Sequence, residues 1–137
     1  METLVLLAAD YASMGMGIKL NVMGIFNSIN AARFPMRHPS MYVIAKLGVE
    51  FGEQRGKRQV SIKLIDQDGH DVRQFVRQEV EVKNSMSERR AEFNFLLEVR
   101  DLILPAPGTY SIVVVVDDEP IRELPIIVNQ IRKPAAG

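Results

Sequence analysis

The chain has two histidines, His38 and His70, and they are its only side chains that ordinarily titrate near neutral pH. His38 stands in Phe34-Pro35-Met36-Arg37-His38-Pro39. A ring held between prolines has the stiffness that a general base or a ligand needs. No second catalytic residue type lies beside it in sequence. The simpler expectation is an imidazole bonded to nearby backbone, locking an extended connector. His70 follows Asp68-Gly69 in a tight turn and is expected in solvent. A small-ligand pocket or enzyme site, if built around residues 27–40, would draw on Tyr11, Asn27, Arg37 and His38.

The acidic residues gather at two turns. Asp66, Asp68 and Asp71 flank Gly69 in the manner of a calcium loop, but an EF-hand requires an acid at its twelfth position and helices on both sides. Counting from Asp66, that position is Arg77, and the flanks read as strands. Aspartates bonding their own turn backbone are the simpler reading, and no metal is expected. Asp117-Asp118-Glu119 is a second acidic tip. Paired carboxylates cleave glycosides when set across a cleft, whereas adjacent residues at a hairpin tip diverge into solvent.

Basic residues form two tips, Arg55, Lys57 and Arg58, then Arg89 and Arg90, without the interleaved aromatics that stack on bases. Lys and Arg number 17 against 17 Asp and Glu, so no global field favours nucleic acid or an anionic membrane. The absence of cysteine excludes disulfides, thiolate nucleophiles and zinc–sulfur sites. Gly15-Met16-Gly17 precedes a strand rather than a helix, so it is a turn and not a phosphate loop. No Gly-x-Ser-x-Gly and no metal-spaced histidine pair occurs. These observations predict a non-enzymatic protein with no cofactor.

The elements that would position these residues are strands. Residues 105–128 read as a turn, a β-branched run Ser111-Ile112-Val113-Val114-Val115-Val116, an acidic turn and a second strand. The link is too short for a parallel crossover, so the two strands form an antiparallel hairpin. Further strands are predicted over residues 3–9, 19–27, 41–49, 59–65, 72–82 and 91–99. Gly24 inside the second of these suggests a bulge or a close backbone approach. Ser85 with Glu88 would cap one helical turn or lie in a loop. About eight short strands without an amphipathic helix predict an all-β fold, an antiparallel immunoglobulin-like β-sandwich. A jelly roll or partly open barrel is the alternative.

The length suits one domain over residues 1–131, followed by a frayed tail at 132–137. The apolar run after Glu2 is short, lacks a basic lead-in and is closed by Asp10. It therefore predicts a buried strand rather than a signal peptide or membrane span, and a cytoplasmic protein.

Four stretches resemble those of a family of small uncharacterised bacterial proteins. They are Leu7-Ala8-Ala9-Asp10-Tyr11-Ala12, Lys19-Leu20-Asn21-Val22-Met23-Gly24-Ile25-Phe26-Asn27, Phe34-Pro35-Met36-Arg37-His38-Pro39 and Leu104-Pro105-Ala106-Pro107-Gly108-Thr109-Tyr110. The resemblance spans nearly the whole chain. It implies a sandwich fold and carries over no catalytic residue.

Strands at residues 4–9, 41–47 and 112–116 are apolar on both faces, yet a two-sheet sandwich buries one face of each sheet. The second face must be covered by a partner, a second copy or the connectors. Val113 and Val115 cannot share a face with Ile112, Val114 and Val116. The expectation is an interaction module that self-associates as a homodimer through Val113 and Val115.

Two outcomes follow from the Pro-Gly-x-Tyr turn. Gly108→Val should destabilise by roughly 1–3 kcal/mol, because the turn needs a conformation that side chains disfavour. Tyr110 is expected to be buried at a corner of the sandwich with its hydroxyl bonded to backbone a few residues upstream, so Tyr110→Phe should cost about 0.5–1.5 kcal/mol, the net worth of one hydrogen bond. Urea denaturation measures both.

Overall fold

The computed structural model describes residues 1–16, 19–50, 56–82 and 90–132. Gly17, Arg55, Ser85, Glu88, Arg89, the Arg90 side chain and the tail beyond Arg132 lie outside that description. Nine strands run in order: β1 Glu2–Gly15, β2 Lys19–Phe26, β3 Ser28–Ala31, β4 Met36–Glu50, β5 Gly56–Ile65, β6 Asp71–Val82, β7 Arg90–Leu104, β8 Gly108–Val116 and β9 Glu119–Gln130. No helix occurs among the described residues, and therefore none is long and apolar enough to cross a membrane.

The strands form two sheets, β2-β1-β4-β7 and β3-β9-β8-β5-β6. In the second sheet β8 lies between β5 and β9, as strand F lies between C and G in immunoglobulin domains, while β1-β4-β7 supplies the A-B-E order opposite. The expected sandwich is present. Alternation along the strands explains the core. Val60, Ile62 and Leu64 of β5 and Ile112, Val114 and Val116 of β8 turn inward, meeting Met41, Val43, Ala45 and Leu47 of β4. The Tyr110 side chain is buried; its hydroxyl donates to the Ala106 carbonyl at 2.6 Å and accepts from the Ala106 N–H at 3.4 Å. This is the corner predicted from Pro107-Gly108-x-Tyr110. Gly108 has φ +151°, and a Cβ there would lie 3.2 Å from the Gln67 side chain.

The connector is more ordered than the sequence indicated. Residues 28–31 form β3, which runs parallel to β9 and pairs Ser28 with Ile127 through Ala31 with Gln130. The Asn27 carbonyl accepts the Ile127 N–H at 2.8 Å, and Asn129 Nδ2 donates to Asn30 Oδ1 at 3.1 Å. β4 starts at Met36, inside the stretch read as connector, and stays in register with β7 from Leu104 to Arg90. Nine strands replace about eight because pairing with β9 supplies ladder bonds that a four-residue polar segment does not advertise.

The outer face of the first sheet is covered within the chain. Ala9, Ala12 and Ile44 are fully buried in a second cluster, with Leu7, Leu20, Val22, Tyr42 and Leu96 packed around them. β1 pairs with β4 in its first half and continues with β2 to Gly15. The sheet therefore curls, bringing Leu20 and Val22 over Ile44. The curl passes through Gly24, which has φ +70° and faces Asp10; a Cβ there would overlap the Asp10 carboxylate. The close approach expected at Gly24 is the packing of this carboxylate on its backbone.

Ile44 thus distinguishes a covered outer face from an exposed one. Ile44→Ala should destabilise by about 2–5 kcal/mol, as in a closed core, rather than the few tenths of a surface site. A denaturant midpoint close to that of wild type would contradict the second cluster.

Candidate interaction surface

The outer face of the second sheet forms a trough of about 400 Å³. Register builds it. Glu123 of β9, Val113 of β8, Lys63 of β5 and Gln74 of β6 are successive partners across the sheet. The next outward row is Pro120, Val115, Ser61 and Arg77. Because Ile62 and Val114 point inward, these rows point outward. Val113 and Val115 make an apolar floor between walls of long polar side chains. Val113 is only 3% exposed, so the row is not the open apolar surface that its sequence implied. Long stems on the flanking strands cover such a residue while their polar ends stay in water.

Charge is unevenly satisfied around the trough. Lys63 pairs with Asp71 at 2.9 Å. The side chains of Arg77 on one wall and Glu123 on the other have no ion-pair or hydrogen-bond partner among the described residues. Asp118 at the trough end stands likewise. Asp117 differs from the solvated tip expected of it. Its Oδ1 accepts the Gln59 N–H at 3.0 Å, its Oδ2 accepts from Arg58 Nη1 at 3.2 Å, and its own N–H donates to the Gln59 carbonyl at 2.9 Å. Asp117 and Asp118 take φ 49° and 66°, the two positive values of a type I′ turn. That turn aims Asp117 back at β5, with its carboxylate still half-exposed.

The four polar residues of the expected connector pocket have separate neighbours. Tyr11 meets Tyr42 edge to face at 5.3 Å. Asn27 is engaged through its carbonyl with β9. Arg37 is exposed and pairs with Asp101 at 2.7 Å. His38 is half-buried against Phe26, with ring centroids 5.9 Å apart, and its Nε2 is buried without a hydrogen-bond partner. Burial holds its pKa below the ordinary 6.5, while the Asp10 charge and the Ser40 backbone pull the other way. Asp66, Asp68 and His70 bring their ligand atoms within 4.8 Å of one another. Asp66 Oδ1, however, accepts the N–H groups of Asp68 and His70, both at 2.9 Å. The His70 backbone bond leads in holding the Asp66 pKa below its ordinary value. This turn is an aspartate bonding its own backbone, as expected.

In sequence, the hairpin sets Glu123 beside Val113 and Val115, but nothing local brings in the rest of the walls. Arg77, Glu123, Gln74 and Lys63 lie on three different strands. Clean alternation in β5 is a further signal, since it sends Ser61 and Lys63 outward with the two valines.

A family model described as a family of unknown function (DUF6941) matches residues 4–129. No curated protein matches. Among solved structures, a glycosyl hydrolase family 2 member from Bacteroides cellulosilyticus DSM 14838 is similar at 24% identity and a TM-score of 0.44. The likeness covers 64% of this chain and 12% of that one. A structure from microfluidic crystals of a glycosyl hydrolase family 2 member from Bacteroides cellulosilyticus gives 23% identity, the same TM-score and the same coverage.

The half-buried imidazole makes stability depend on pH. With the folded pKa lowered, the unfolded chain takes up the proton first. Stability should therefore fall as pH drops through the ordinary value near 6.5 and level off below the lower folded value. Urea unfolding across this range should show the decline in wild type and its absence in His38→Gln.

Proposed function

The chain belongs to the DUF6941 family, and we propose that it is a non-enzymatic interaction module whose contact surface is the trough around Val113 and Val115. The observation that carries this reading is the apolar floor between two charged walls, Arg77 and Glu123, that have no partner among the described residues. Three of the charged residues elsewhere already have structural roles. Asp66 caps its turn, Asp117 ties β8 to β5, and Arg37 holds Asp101. The volume suits insertion of a partner's side chains, and a floor of two valines supplies apolar contact. A homodimer across this face, expected from the sequence, loses part of its motive because Val113 is already covered. The charged walls favour a partner that brings charges of its own.

The test is selection of a random peptide library on the immobilised chain, followed by titration of recovered peptides into isotopically labelled protein. Amide shifts are expected at Ser61, Lys63, Gln74, Arg77, Val113 and Val115. Affinity should drop at least about tenfold, 1.4 kcal/mol, in Val115→Arg and in Ser61→Arg, each of which fills the trough. Melting curves confirm that the variants are folded. Peptides that shift other residues and bind both variants like wild type would overturn the reading, as would failure to recover any binder.

A further inference from the structure

We infer, resting on the reading of the trough as a contact surface, that its occupant is an extended peptide segment with a small apolar residue between an acidic and a basic side chain. Charge complementarity selects this occupant. Arg77 projects from β6 and Glu123 from β9, on opposite sides of the β5–β8 pair that carries the apolar floor. Three inter-strand steps of about 4.8 Å separate β9 from β6, and the two residues lie in adjacent outward rows. Their backbones are therefore roughly 16 Å apart along the diagonal. An extended chain rises about 3.3 Å per residue, so a segment lying across the strands bridges the walls with charges about four or five residues apart.

The acid of the segment meets Arg77, whose planar fork takes a carboxylate in two parallel bonds. The base meets Glu123, with Asp118 adding to the same negative side. Between them the segment crosses Val113 and Val115, where a Val or Ala side chain fits the shallow floor and a charged one would be left without a partner. Lys63 does not compete for the acid, because Asp71 holds it at 2.9 Å. The chain as a whole is neutral, so recognition depends on the placement of these two groups rather than on a general field.

The probes are three blocked pentapeptides with Val at the third position. One carries Glu first and Lys fifth, one Lys at both ends, and one Glu at both ends. Wild-type protein, followed by amide shifts, should bind the mixed peptide several-fold more tightly than the other two. Arg77→Glu makes both walls acidic and should move the preference to the dibasic peptide by about fivefold, the worth of one exposed pair. Glu123→Arg should move it to the diacidic peptide. Equal affinities for the three peptides, or preferences unchanged in the two variants, would overturn the charge assignment. If Val115→Arg still abolishes binding in that case, the trough remains the contact surface and only its partner is misassigned. Sedimentation velocity supplies the last outcome: a dimer dispersed by Val115→Arg would assign the trough to a second copy and overturn the peptide.

Discussion

The hydrogen-bonded ladder that holds β8 between β5 and β9 is the interaction on which the rest of the structure depends. Its register decides which face of five consecutive apolar residues enters the core. With Ile112, Val114 and Val116 inward, Val113 and Val115 must lie outward, and every outward neighbour follows from their positions. A slip of β8 by one residue would turn that strand over, sending Val113 and Val115 inward and Ile112, Val114 and Val116 outward. The ladder is anchored at both ends of β8. Tyr110 locks the entering turn through Ala106, and Asp117 fastens the leaving turn to Gln59 and Arg58.

Both sheets carry apolar residues on the face turned away from the shared core, and they treat that face differently. The first sheet folds its own edge over itself. β1 is long enough to pair with two partners in succession, and Gly24 permits the backbone conformation that the curl requires. The result is a closed cluster around Ile44. Among the described residues the second sheet has no such flap. It narrows its apolar strip to Val113 and Val115 and flanks it with long polar side chains. A cover made of the chain's own backbone closes the Ile44 cluster, although Tyr11, Met23 and Ile25 stay exposed on the flap itself. A cover made of side chains can be moved aside at small cost, because exposed rotamers interconvert readily. That contrast sets the trough apart from the closed Ile44 cluster.

Several features were legible in the sequence because they are local. The all-β class and the β8–β9 hairpin follow from β-branched runs of alternating direction separated by turn residues. The corner at Tyr110, the turn at Asp66–Gly69 and the close approach at Gly24 follow from residue types whose conformational demands act over a few positions. The parallel pairing of β3 was not legible, since Ser28-Ile29-Asn30-Ala31 becomes a strand only because β9 offers it a ladder from about a hundred residues away in sequence. The role of Asp117 was missed for the same reason. Its partners, Gln59 and Arg58, lie across a strand pairing, and an acidic turn reads as solvated until that pairing is known.

The sequence by itself determined that this chain is a cysteine-free, electrically balanced β protein with more apolar strand surface than one core can use. Composition and alternation establish such properties, because they sum or repeat along the chain. Only the tertiary structure decided where the surplus goes. The order of strands in each sheet, the curl of β1 and β2 over Ile44, and the meeting of Arg77, Val113 and Glu123 on one face depend on pairings between distant segments. Those pairings are chosen by the burial and hydrogen bonding of the whole chain at once, and no window of residues contains both partners.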